Sequence, residues 1–478
     1  MHLRKFSVYY LFFIIFAFIG CKSEPKLSVK ENIDGWYLKE TSSGDHEKFF
    51  AIGAWNVPGH QDEIAEPNVK TREEFYKRQT SNVNIVLMHM QNWEDYMHEQ
   101  NKILMSIKPS LFLMDYLGNM PSLSDKGTEK GYYQSQYLKN IQNDEELLQE
   151  FDKALDKHVN SDFKNVERAY LPIDEVGLGL AGSHWFIPPL VGDLIYEKLK
   201  TFDPNTIVFV DLAGHGKGSS FFFEQRYLKD HSSMPTDPPY EAVSESAQDY
   251  AKNAISEGKG LPLIVFNEGY DGVPGYQFKD NKYSYRSYTL EELKSFHYEN
   301  IKLYAEAYKG NGNVFGLNAF RDFYAHPVLA GVTVDAIRAG LGDPSIPIWL
   351  FFDGNGYAKP KEMPAEDYVN EVKCQMFTSI IHGATGVFFW NTRTKEYDVW
   401  DALQPVLEEI RDNLNLIKLD TVEKIIDDNL HIVIKKDDKN QKYIIASNTS
   451  KTDLIPLKIE NVEKESLNPL EVYISPIN

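Results

Sequence analysis

The sequence predicts an α/β chain: a (β/α)8 TIM barrel over residues 49–417, followed by a small all-β, sandwich-like domain over 418–478. Three observations lead there. From Phe49 onward, short apolar runs alternate with amphipathic, helix-like stretches, which is the pattern of a parallel sheet. The runs are nearly all apolar, as strands covered on both faces must be. After about Lys418 the pattern changes to short alternating runs divided by Asp-Asp, Asn and Ser-Lys clusters. The 478 residues suit a large barrel with an accessory module better than one small domain.

The chain opens Met-His-Leu-Arg-Lys and then runs apolar from Phe6 to Gly20. A basic head and a short apolar core make a secretory leader over 1–20, too short for a membrane span of about 20 residues. Phe18-Ile19-Gly20-Cys21 resembles the bacterial lipobox, with Phe18 in place of the usual leucine. The resemblance implies that Cys21 is lipidated and that the protein is exported and anchored at the outer membrane or cell surface. Residues 21–48 are then a tether and lead-in, polar over Lys22–Asn32.

Eight runs fill the barrel. They are Phe49–Trp55, Asn84–Met88, Leu111–Met114, Tyr170–Ile173, Ile207–Val210, Val314–Leu317, Ile348–Phe352 and Val387–Phe389. Helical patterns over Arg72–Thr80, Trp93–Ser106, Asp144–Val159 and Leu190–Thr201 separate the first five. A ninth run, Leu263–Phe266, falls in Gly216–Thr289, a stretch rich in Gly, Pro, Ser and Tyr that reads as an insertion. Another count promotes that run to the barrel at the expense of an earlier one. A doubly wound nucleotide-binding sheet is the competitor, but Phe49–Pro58 carries no glycine-rich phosphate loop. Leu430–Lys435, Lys442–Ser447, Leu454–Ile459 and Val472–Ile474 then make the β domain, read as a structural cap.

A net charge of −20 excludes nucleic acid as a partner, because a polyanion would be repelled. Only Cys374 remains after Cys21, so the mature chain has no pair for an internal disulfide. No HxH or HExxH spacing accompanies His89 or His326, so no metal site and no cofactor is expected.

In a parallel barrel the site lies where the strands end. The predicted ends offer Trp55, Asn56, His89, Asn92, Asp115, Tyr116, Asp174, Glu175, Asp211, His215, Arg321, Asp322, Tyr324, His326, Asp353 and Trp390. Several carboxylates, few lysines and many aromatics suit acetal hydrolysis, in which one carboxyl protonates the leaving oxygen and a second attacks the sugar or activates water. The adjacent pair Asp174-Glu175 is the focus, since one acid can raise the pKa of its neighbour. The plainer alternative is a helix cap beside a solvated glutamate. Trp55 and Trp390 are sugar platforms or core aromatics. Asn56, His89, Asp115, Asp211, Arg321 and Tyr324 are candidate substrate contacts, though Arg321-Asp322 also reads as a plain ion pair.

Glu175 at the fourth strand, an acid at the seventh and HGATGVFFW (His382–Trp390) along the eighth resemble clan A glycoside hydrolases, especially the surface lipoproteins with which Bacteroidota degrade polysaccharides. The resemblance implies that Glu175 is the acid/base and that the strand-seven acid is the nucleophile. Two departures stand out: Asp174 replaces the usual Asn, and strand seven ends in Asp353 rather than Glu. Asn267-Glu268 shows the Asn-Glu pair, so the alternative strand count makes Glu268 the second carboxylate. The Asp174-Glu175 pair also resembles substrate-assisted hexosaminidases. Two other classes compete, a non-catalytic glycan-binding lipoprotein on a barrel scaffold and a metal-dependent deacetylase. The partners expected are a poly- or oligosaccharide and, through the lipid anchor, a membrane.

Overall fold

The structure, a computed structural model, describes residues 35–41, 43–55, 80–89, 112–116, 168–172, 189–202, 204, 206–212, 263–265, 273–279, 282–288, 290–319, 326–356, 359, 362–390 and 398–478, with isolated helical positions between 74 and 156. An antiparallel hairpin of β1 (Tyr37–Glu40) and β2 (His46–Phe49) leads in. Then come β3 (Ala51–Trp55), β4 (Ile85–His89), β5 (Phe112–Tyr116), β6 (Arg168–Leu171), helix α1 (Pro189–Phe202) and β7 (Ile207–Leu212). β8 (Leu263–Val265), β9 (Val273–Lys279) and β10 (Lys282–Tyr288) follow, and then α2 (Leu290–Tyr308) and β11 (Val314–Leu317). α3 (Val328–Leu341), β12 (Trp349–Asp353), α4 (Ala365–His382), β13 (Gly386–Trp390), α5 (Asp398–Asp412) and α6 (Leu414–Ile417) complete this part.

Eight strands form one parallel sheet in the order β11-β7-β6-β5-β4-β3-β13-β12. These are the eight runs of the preferred sequence count. β8 lies outside them, in a separate antiparallel sheet with β9 and β10.

Both faces of the sheet are apolar, and each face has its own core. Ala51, Trp55, Ile85, Leu87, Met114, Ala169, Leu171, Ile207, Phe209, Val314, Trp349, Phe351 and Phe388 pack together on one face. Their neighbours in sequence, such as Ile52, Val86, Tyr170, Val208, Val210, Phe315, Leu350 and Phe352, pack with the helices on the other. On the first face, rings from strands far apart in the sheet order meet. The ring of Phe209 on β7 stacks on Phe388 of β13 at 5.8 Å, although the two strands are well apart in the sheet order. The outermost strands also touch. Bridges join Phe315 to Ile348 and Asn318 to Phe351, with Phe315 N donating to Pro347 O and Ala319 N to Phe351 O.

Two glycines make room for this aromatic stack. A Cβ on Gly53 would lie 2.2 Å from the Phe388 ring, and one on Gly316 would lie 1.8 Å from the Trp349 carbonyl. Large and small side chains are thus paired across the inner face, as close packing requires.

The final segment holds β14 (Asp420–Asp427), β15 (Leu430–Lys436), β16 (Lys442–Asn448), β17 (Ile455–Pro456), β18 (Ser466–Leu467) and β19 (Val472–Ile477). β14-β15-β16-β19 form an antiparallel sheet. Ile432, Ile434, Ile444 and Ala446 face Leu457 and Leu467 of the β17–β18 pair, while Val433 and Ile445 join the core around α4. Buried polar contacts fix this junction: Thr378 Oγ1 to Ser447 Oγ at 3.0 Å, the Cys374 thiol donating to Asn448 O at 3.4 Å, and the ion pair of Lys451 with Glu371. Burial pushes the Cys374 thiol up to about 12, so it is an inert packing group. No helix among the described residues is long and apolar enough to cross a membrane.

Candidate functional site

The inner rows change in character toward the carboxyl ends of the strands. Lower and middle inner positions are apolar, ending in the stack of Phe209, Trp349, Phe351 and Phe388. One step further, the same rows turn polar. Asp211 follows Ile207 and Phe209 on β7, Asn318 follows Val314 and Gly316 just past β11, and Asp353 follows Trp349 and Phe351 on β12. Side chains alternate along a strand, so Asp211 and Asn318 continue the inner rows, while Asp353, in step with Trp349 and Phe351, turns its carboxyl at the strand end toward Tyr368 of the outer core. Trp390 packs against the inner cluster and Trp55 is part of it.

Asp211 and Asn318 meet across adjacent strands, with Asn318 Nδ2 donating to Asp211 Oδ2 at 3.4 Å; both are buried. Carboxylates are rarely buried without a job, structural or chemical. Asp353, only 1% exposed, is held on both oxygens. Oδ1 accepts the backbone N–H groups of Asn355 and Gly356 at 3.0 Å each, which folds a tight turn at the strand end. Oδ2 accepts the Tyr368 hydroxyl from α4 at 2.6 Å. Gly354 N donates to Trp390 O at 3.2 Å, tying this turn to the end of β13. Gly356 needs to be glycine, because its φ is +79° and a Cβ would also press on Val399.

His326 precedes α3, and its Nδ1 accepts from Val328 N at 3.3 Å. Burial, with Lys294 adding a smaller push, lowers this imidazole to about 4, so it is a neutral acceptor at ordinary pH. No group of three or more His, Cys, Asp and Glu side chains suited to a metal occurs among the described residues.

One boundary differs from the sequence reading. The fourth strand covers Arg168–Leu171, not Tyr170–Ile173. Pro172 has no N–H to offer a neighbouring strand, and pairing stops before it. Asp174 and Glu175 lie outside the described residues. So do Asn56, Asn92, His215, Glu268, Arg321, Asp322 and Tyr324, and the side chains of His89, Asp115 and Tyr116. Among the predicted residues, the structure brings Trp55, Asp211, Asp353 and Trp390 to one end of one face. Asn318, Asn355 and Tyr368 are additions. Asn318 stands directly after an apolar run and was findable by the same rule that picked Asp211. Tyr368 sits in a helix, where nothing in its spacing set it apart.

No protein-family model and no curated protein matches the chain. Solved structures do. An endo-β1,6-glucanase shares 8% identity over 90% of this chain and 90% of its own, with a TM-score of 0.44. An Anoxybacillus α-amylase shares 10% over 89% and 97%, at 0.42, and a glucosidase from Croceicoccus marinus shares 9% over 86% and 79%, at 0.38.

Proposed function

We propose that the chain is a glycoside hydrolase on a closed (β/α)8 barrel, cleaving a poly- or oligosaccharide with Glu175 as acid/base and Asp353 as the second carboxylate. The observation that carries this reading is the switch from aromatic to carboxylate along the inner rows of β7 and β12, at the end of the sheet where barrel sites lie. Closure is supported by the Phe315–Ile348 and Asn318–Phe351 bridges and by rings from distant strands in contact. Trp390, partly buried at the edge of the inner cluster, is the aromatic that could offer a sugar ring its flat face, whereas Trp55, buried against Phe351, packs as a core aromatic. Glu268 loses its ground, since the case for it required Leu263–Phe266 to be a barrel strand, and Leu263–Val265 pairs elsewhere.

A second assignment within this reading has its own observation. Asp353 has both oxygens engaged by the chain, as a carboxylate that shapes a loop would. Asp211 is then the partner carboxylate. Alanine at Asp353, Asp211 and Glu268, assayed on plant, algal and host glycans with added azide, decides. Loss of the true nucleophile or base nearly abolishes turnover, and azide entering the vacated space restores part of it as a glycosyl azide. Rescue is expected at Asp353; rescue at Asp211 moves the role there, and rescue at Glu268 overturns the strand assignment. A parent protein that binds glycans and cleaves none replaces hydrolysis with the binding-protein reading. Rescue at none of the three, with activity confined to N-acetylated sugars and Asp174→Ala inactive, gives the substrate-assisted reading.

We propose further that Cys21 carries lipid and anchors the protein to a membrane, on the short apolar run ending Gly20-Cys21. Cys21→Ser should leave the protein soluble or unprocessed. A variant that fractionates with membranes and matures like the parent ends that reading.

A further inference from the structure

Away from the strand ends, a row of four groups crosses from the α/β part into the β domain. Asp335 stands on α3, His382 ends α4, His431 lies on β15, and the Asp428 carbonyl belongs to the β14–β15 turn. His382 Nδ1 is 2.7 Å from Asp335 Oδ2, and His382 Nε2 is 2.8 Å from His431 Nδ1. His431 Nε2 is 3.3 Å from the Asp428 carbonyl oxygen. Both rings are buried, and a Cβ on Gly331 would come within 2.6 Å of the His382 ring, so that ring is held in place.

Proton counting makes the row informative. A carboxylate and a carbonyl close its two ends, and both only accept. The three contacts between them need three N–H protons, one each. Two neutral imidazoles carry two. With two, one contact sets lone pair against lone pair: at Asp335, between the rings, or at the Asp428 carbonyl.

We infer that His382 and His431 together hold three ring protons, and that the resulting imidazolium, resident on His382 against Asp335, bolts the β domain to the α/β part until the pH rises. His431 is the neutral member, since burial first and the adjacent His382 second push its ring down to about 3. It then donates from Nε2 and offers its Nδ1 lone pair to His382. Several cations face the row. Lys424 Nζ donates to His382 O at 2.8 Å, Arg338 Nη2 donates to Gly383 O at 3.1 Å, and Lys435 shares with His382 a cavity of about 250 Å³. Lys294 and His326 act on His431 as smaller repulsions. All disfavour an added proton. Asp335 opposes them from hydrogen-bond distance, whereas Lys424 and Arg338 aim N–H groups at the carbonyls that end α4. The proton is taken up as the domains dock, so docking is strongest in acid and weakens as pH rises.

Asp335→Asn is the discriminating variant. Its amide can donate to His382 Nδ1, which completes the row with two ring protons and removes the need for a third. In the full-length parent labelled with ¹⁵N at histidine, both His382 ring nitrogens should be protonated at about pH 6, and only Nε2 of His431. Hydrogen exchange across the β14–β15 turn, corrected for its intrinsic rate, should rise about tenfold to a hundredfold by about pH 9, the worth of one charge-assisted hydrogen bond. In Asp335→Asn, His382 should be neutral and the turn protected about equally at both pH values. An unprotonated His382 Nδ1 in the parent at about pH 6 overturns the proposal, whatever the variant does. A variant that keeps the parent's pH dependence overturns it as well.

Discussion

The floor of the inner face and its mouth are built on the same strands, two residues apart, and they obey opposite rules. On β7 the inward series runs Ile207, Phe209, Asp211; on β12 it runs Trp349, Phe351, Asp353. Below the switch, every side chain is chosen for volume. Phe388 stacks on Phe209 at an interplanar angle of 10° and on Trp349 at 22°, over glycines that leave room for it. Above the switch, side chains are chosen for hydrogen bonds, and the Asp353 turn is held by two backbone donors and a tyrosine. Stability should therefore depend on shape at the floor and on single polar contacts at the mouth. The difference teaches where chemistry can be placed: a rigid aromatic plug gives carboxylates a fixed base to stand on.

The largest effect on stability should come from the floor. Phe388 touches Phe209, Trp349 and Phe351, rings on two other strands, so truncation leaves a cavity that no single neighbour can fill. Phe388→Ala should cost about 3–5 kcal/mol of stability, read as a lower denaturant midpoint with the slope unchanged. A cost below about 1 kcal/mol would mean that the stack collapses around the gap, and the contrast with the mouth would fade.

The floor was the more legible of the two in the sequence, for a physical reason. Burial on both faces writes itself as continuous apolar runs, so Val314–Leu317 and Trp349–Phe352 announce themselves locally. The site depends on which distant residues converge, and a run read alone does not contain that. Asp211 and Asp353 were visible because each closes an apolar run. Tyr368 was not, because it reaches Asp353 across a loop, from a helix whose pattern is that of any buried helix. The β6 boundary shifted for the opposite reason: Ile173 looked strand-like by its side chain, but Pro172 before it lacks the N–H that pairing uses. The His382–His431 contact joins residues far apart in sequence and left no trace in either segment alone.

A smaller effect is expected at the mouth. Tyr368→Phe keeps the ring, which is fully buried in the outer core, and removes only the hydroxyl that donates to Asp353 Oδ2. The floor packing is untouched, so the cost should be that of one hydrogen bond to a charged group, about 1.5–3 kcal/mol. Denaturant midpoints of the two proteins, compared at equal slope, measure this directly. A cost below about 0.5 kcal/mol would make the tyrosine a packing residue alone, and the mouth would then follow the same rule as the floor.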